Sequence, residues 1–131
     1  MFEFGVDEYS KIGSMASHSK AMGSKPMFVF MGEQWDNDAT YIRLQNLLTD
    51  FFRGEKLEMV SLKGLDHVMG WSVGEDGKIY CRIYTVGFAK SGTKVPTIEL
   101  EGMGPFMDLT IRRTQLAAPD MWNLACKQPR K

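Results

Sequence analysis

The sequence predicts an α+β domain in which a largely antiparallel sheet packs against helices. Three observations point there. Residues 98–114, IELEGMGPFMDLTIRRT, alternate apolar and polar side chains on either side of a Gly-Met-Gly-Pro break. Ile98 and Leu100 point one way, and Thr97, Glu99 and Glu101 the other. Beyond the break, Met107, Leu109 and Ile111 oppose Asp108, Thr110 and Arg112. A period of two is the mark of half-buried strands. Residues 41–52 place Tyr41, Leu44, Leu47, Leu48, Phe51 and Phe52 three and four apart, the apolar stripe of a helix that faces a core. Residues 78–88 form a long run that is apolar on both faces. Ile79, Cys81 and Ile83 lie on one side; Tyr80, Tyr84, Val86 and Phe88 lie on the other, interrupted by Arg82. Such a strand is expected at the centre of a sheet, covered on both sides.

The expected order is a short helix, a strand, a helix, about five antiparallel strands and a terminal helix. Residues 13–26 are rich in Gly, Ser, Met and Lys and read as a loop. Residues 27–31 follow as a short apolar strand. Asp36, Asn37 and Asp38 offer N-cap side chains for a helix over 38–53. Gly54 stops that helix, with Arg53 near the negative end of its dipole. Residues 57–62 and 67–73 read as strands around a Lys63-Gly64 turn. Residues 74–77, GEDG, signal a hairpin into the long strand. Residues 90–94, KSGTK, form a turn carrying two lysines. Gly102, Gly104 and Pro105 suit a corner where the chain changes direction. Pro119 opens a last helix that buries Met121, Trp122 and Leu124, and the residues up to 131 begin a basic tail.

Composition bounds the function. The formal net charge is zero, which argues against RNA binding by bulk charge. Residues 1–66 hold 7 bases and 10 acids, and residues 67–131 hold 9 bases and 6 acids. The second half is therefore the better nucleic-acid candidate, through local contacts. No apolar run approaches the roughly 18 residues of a membrane span, and the opening residues carry no basic signal-peptide segment. Cys81 and Cys126 read as buried thiols of a reducing compartment.

The candidate binding residues form a basic set: Lys78, Arg82, Lys90, Lys94, Arg112 and Arg113. Arg112 alternates onto a polar face and Arg113 ends the apolar one. Lysines on a turn such as KSGTK can follow a phosphate backbone without reading bases. The competing account is ordinary surface charge, with one arginine paired to Glu99, Glu101 or Asp108. Tyr80, Arg82 and Tyr84 alternate as in a single-strand stacking platform, or else both tyrosines pack under a helix. His67 beside Asp66, with Ser61 and the cysteines elsewhere, lacks the supporting geometry of a nucleophilic or metal site. There is no GxxxxGK[ST] loop for a nucleotide.

Taken together, four segments resemble the Brix-domain family and, more narrowly, its ribosome production factor 2 branch. They are FEFGVDEY (2–9), YIRLQNLLTDFFRG (41–54), GKIYCRIYTVGFAKSGTKVPTIELEGMGPFMDL (77–109) and RRTQLA (112–117). Many Brix relatives carry Arg after the Gly-Pro, where this chain has Phe106. The resemblance implies that residues 1–131 correspond to the C-terminal half of a Brix domain, similar to anticodon-binding α/β domains. The first half of the domain and the long basic tail would be absent. It also implies a non-catalytic assembly factor of the large (60S) ribosomal subunit, acting in the nucleolus without a cofactor or a membrane. The factor would help recruit the 5S rRNA ribonucleoprotein to the pre-60S particle and support pre-rRNA maturation. Its obligate partner would be the regulator of ribosome synthesis protein. Further partners would be 5S rRNA, its two associated large-subunit ribosomal proteins and pre-rRNA. Lys78, Arg82, Lys90, Lys94, Arg112 and Arg113 are the residues expected to meet RNA. The alternatives are another Brix-type rRNA-binding factor of small-subunit assembly, or a small enzyme with a pocket converging on His67.

Overall fold

A computed structural model describes residues 1–14, 24–52, 54, 58–61 and 64–127. Among the described residues, six strands and three α-helices form an α+β fold, as the alternation and the helical stripe require. The strands are β1 (Phe2–Ser10), β2 (Met27–Met31), β3 (His67–Val73), β4 (Ile79–Ala89), β5 (Thr97–Gly102) and β6 (Phe106–Thr114). The helices are α1 (Gln34–Asn37), α2 (Ala39–Phe51) and α3 (Pro119–Ala125). The sheet runs β1-β6-β4-β3-β2, with β5 also paired to β4. All pairings are antiparallel except β2 with β3. That exception follows from connectivity, because α1 and α2 carry the chain back over the sheet between the two strands.

The helices cover one face. Trp35 of α1 and Leu44 of α2 pack with Met69, Trp71, Ile79, Cys81, Ile83 and Leu109. The register puts the odd-numbered residues of β3, β4 and β6 on that face. Leu44 is fully buried, whereas Leu47 is 48% and Phe51 76% exposed. The expected core stripe is thus corrected to Tyr41, Leu44 and Leu48. These three recur at three and four residues and define the line that faces the sheet; Leu47 and Phe51 lie one step round the cylinder. Asp38 caps α2, its Oδ1 accepting from the Thr40 N–H at 2.7 Å. Past the helix the Gly54 N–H donates to the Thr49 carbonyl at 2.7 Å. A Cβ at Gly54 would stand 2.7 Å from the Phe28 ring, so glycine allows the close approach.

Several expectations are corrected. The opening residues form strand β1 and not a short helix, because β6 supplies a partner along its whole length. The helical piece there is a 3₁₀ turn at Ile12–Ser14. Residues 58–61 form no strand; Leu57, Leu62, Lys63 and Arg53 lie outside the described residues, as do 15–23 of the expected loop and 128–131 of the expected tail. The Gly-Met-Gly-Pro segment is not a corner. β5 and β6 both run antiparallel to β4, with Tyr84 opposite Gly102 and Cys81 opposite Met107. They are two collinear pieces along the same side of β4, and the segment between them is a bulge. The Met103 N–H still reaches the Ile83 carbonyl at 2.9 Å. Helix α3 begins at Pro119 but buries none of its residues. Cys126 is exposed, whereas Cys81 is buried as expected.

Candidate nucleic-acid interface

The even-numbered residues of β4 and β6 form the face away from the helices. The helix side also holds α3, whose Trp122 ring receives Arg43 of α2 at 4.6 Å. On the even face, Asp108 lies opposite Tyr80 across the β4–β6 pairing. Arg82 sits at the bulge and is fixed there from several directions. Its guanidinium meets Asp108 Oδ1 at 2.5 Å and donates to the Met107 carbonyl at 3.0 Å. It also lies 5.4 Å from the Tyr80 ring centre and 5.3 Å from that of Phe106. The pairing of one arginine with Asp108, expected of an ordinary surface, is thus realised at Arg82. Tyr84 contacts Phe106 with ring centres 5.6 Å apart. The two-sided cover expected for β4 is one-sided in respect of helices: Tyr80, Arg82 and Tyr84 remain half-buried.

Lys78 and Arg112 both lie near Asp7 at the β1 end of this face. Asp7, at a shift in the β1–β6 register, accepts from Thr110 Oγ1 at 2.8 Å and pairs with Lys78 Nζ at 3.2 Å. The Thr110 hydrogen bond, and next Lys78, hold the Asp7 carboxyl below its ordinary value; Asp7 in turn raises the Lys78 ammonium. Arg112 lies across Gly5, where an added Cβ would stand 2.6 Å from Nε. Arg113 is loosely paired with Glu3 at 3.8 Å.

Lys90 and Lys94 belong to a different place. They flank a turn closed by hydroxyl contacts: Ser91 Oγ bonds Thr93 Oγ1 at 2.7 Å and also donates to the Val95 carbonyl. Gly92 takes the positive φ, 75°, that the tight turn requires. Both lysines are exposed. Because β5 and β6 are collinear, the turn and Arg113 stand at opposite ends of the sheet, roughly 40 Å apart along the strand register at about 3.3 Å per residue. The six predicted residues therefore form two groups, Lys90 with Lys94 and Lys78 with Arg112 and Arg113, with Arg82 between them. Sequence reasoning missed Asp7, Gly5 and Phe106 as neighbours of these cations; the Gly at position 5 inside an apolar strand was the available sign of close approach.

Among the described residues no three of His, Cys, Asp and Glu cluster as metal ligands, and no helix is long and apolar enough to cross a membrane. Burial dominates at Cys81 and pushes its thiol up to about 11, the behaviour of a packed thiol and not of a nucleophile.

The Brix domain family model matches residues 1–113. Over 99% of its length the chain is 40% identical to the human ribosome production factor 2 homolog. It is 38% identical to the Drosophila melanogaster ribosome production factor 2 homolog over 100% of its length. It is 32% identical to the Saccharomyces cerevisiae ribosome biogenesis protein RPF2 over 96%. It spans about two fifths of each relative, 42%, 41% and 40% respectively. With the match running from β1 to Arg113 near the end of β6, the chain belongs to the Brix-domain family.

Proposed function

We propose that the chain is part of a non-catalytic ribosome-assembly factor of the large (60S) subunit. It helps bring the 5S rRNA ribonucleoprotein to the pre-60S particle and supports pre-rRNA maturation in the nucleolus. The observation that carries this reading is identity of 32–40% to proteins named ribosome production factor 2 or RPF2 over almost the whole chain. Its partners in this reading are the regulator of ribosome synthesis protein, 5S rRNA with its two ribosomal proteins, and pre-rRNA.

The mechanism is scaffolding. Lys90 and Lys94 at one end of the sheet, and Arg112 and Arg113 at the other, contact phosphates of folded rRNA and set its orientation without reading bases. Lys78 contributes in competition with Asp7. Arg82, already bonded to Asp108 and Met107, holds the face between the two groups.

The test is RNA affinity across a salt series for Lys90→Ala/Lys94→Ala and Arg112→Ala/Arg113→Ala, with 5S rRNA as the probe. Each pair is expected to weaken binding and to flatten the log–log salt slope by up to about 0.7–0.9 per phosphate lost. Unchanged affinity and slope in both would assign these cations to solvated surface. Cross-linking of the purified pre-ribosome, read by mass spectrometry, tests placement on the large subunit.

A further inference from the structure

The even face of the sheet divides into two chemically different ends. Towards β5 it is apolar: the exposed Ile98 and Leu100 lie opposite the exposed Phe88 and the buried Val86. Towards β6 it is aromatic and cationic. There the rings of Tyr80 and Phe106 flank the Arg82 guanidinium, Tyr84 packs against Phe106, and Lys78 and Arg112 follow along the same face. Gly70 stands opposite Arg82 on β3, and the Met31 side chain of β2 lies over it, Cε 3.5 Å from where a Cβ would stand.

We propose that this aromatic–cation end is a stacking surface for the bases of single-stranded RNA, with Tyr84 and Phe106 as its outer rings and Lys78 and Arg112 meeting the adjoining phosphates. The proposal deepens the RNA reading above and rests on it. Single strands are held by aromatic and guanidinium planes, which accept any base, set beside cations that follow the backbone. Both parts are present on one face, and the Asp108 bond keeps the guanidinium in place before any ligand arrives. A protein helix is the poorer occupant. It would bury the Arg82–Asp108 pair under apolar side chains, and the loss of hydration of two charges opposes that. A base lies over the same group and leaves its edge open to water.

The experiment compares Tyr84→Leu and Phe106→Leu with the unaltered full chain, using a short oligouridine and an RNA duplex of equal length as probes. Leucine keeps apolar bulk and removes the π face. Each variant is expected to lose about tenfold in oligouridine affinity, within the range for one stacked base, with duplex affinity and Tm unchanged. Tyr84→Phe, which keeps the ring, is expected to retain binding and separates stacking from a loss of fold. The Lys90→Ala/Lys94→Ala variant is expected to weaken binding of duplex and single strand alike. If the lysine and arginine variants weaken RNA binding while the leucine variants bind oligouridine normally, the stacking surface is wrong and the phosphate contacts stand. If the leucine variants instead lose only a co-purifying protein, the face docks protein and the proposal is overturned. If no variant changes binding to either RNA, the RNA reading itself fails.

Discussion

Arg82 and Asp108 close a 2.5 Å ion pair across β4 and β6, at the point where the β5–β6 bulge opens the sheet. Their side chains are 28% and 15% exposed, so neither charge is well hydrated alone. The same guanidinium also satisfies the Met107 carbonyl. Substituting Asp108 by Asn leaves a partly buried cation with a weaker acceptor. The expected cost is about 1–3 kcal/mol, the usual penalty for an under-satisfied buried group. Chemical denaturation of the variant checks it, and an unchanged midpoint would show that the pair contributes little.

The exposure pattern of α2 separates two leucines that the sequence treats alike. Leu44→Ala opens a cavity among Trp35, Ile79 and Leu109 and is expected to cost about 2–5 kcal/mol. Leu47→Ala removes a side chain that is 48% exposed and is expected to cost less than about 1 kcal/mol. Denaturation midpoints measured side by side decide this. Equal costs would mean that Leu47 is covered in solution.

The two thiols should differ in reactivity. Cys126 is exposed, and Cys81 is buried with its ionisation pushed from 9.0 up to about 11. At neutral pH a thiol reagent is expected to label Cys126 quickly and Cys81 only when the chain opens. Intact-mass spectrometry over time should show one fast and one slow addition. Since the folded state holds the Cys81 proton more tightly than the unfolded chain, its contribution is present below pH 9 and is lost as pH rises towards about 11.

Asp7 gives the opposite pH dependence. Thr110 first and Lys78 second favour its carboxylate, so its folded ionisation lies below the ordinary 3.8. The associated stability is present above that ordinary value and is lost as pH falls through the lower folded one. Asp7→Asn is therefore expected to flatten the acid limb of a Tm-against-pH curve while leaving its alkaline limb in place. A parallel loss at every pH would point instead to packing at the β1 register shift.

How much of this was legible depends on how far each determinant lies along the chain. The Asp38 cap, the helix after it and the β3–β4 hairpin are local, and their residues announce them. Strand β1 was missed because its partner, β6, lies about a hundred residues on, and only pairing makes a strand of it. The rotation of α2 about its axis is set by the sheet beneath, which the apolar stripe cannot report; it left Leu47 and Phe51 in solvent. For the candidate site, residue types were legible and their placement was not. Lys90 and Arg112 fall together when the Gly-Met-Gly-Pro segment is read as a corner. They part once β5 and β6 fall on one line along β4.

That separation yields the last prediction. Sites more than about 10 Å apart that share no partner contribute independently, within about 0.5 kcal/mol. Lys90 and Lys94 on one side, and Arg112 and Arg113 on the other, stand roughly 40 Å apart by the strand rise. If both groups contact RNA, the quadruple alanine variant should lose the sum of the two double-variant losses in binding free energy, and its salt slope should fall by the sum of their slope changes. Within the second group, Arg112 lies on Gly5 near Asp7, and Arg113 pairs with Glu3. Coupling is therefore expected between Arg112→Ala and Asp7→Asn but not between Lys94→Ala and Asp7→Asn. Affinities for 5S rRNA at several salt concentrations provide both cycles. A strong coupling between Lys94 and Arg112 would require the RNA, and not the sheet, to connect the two ends, for example by refolding when either end is released.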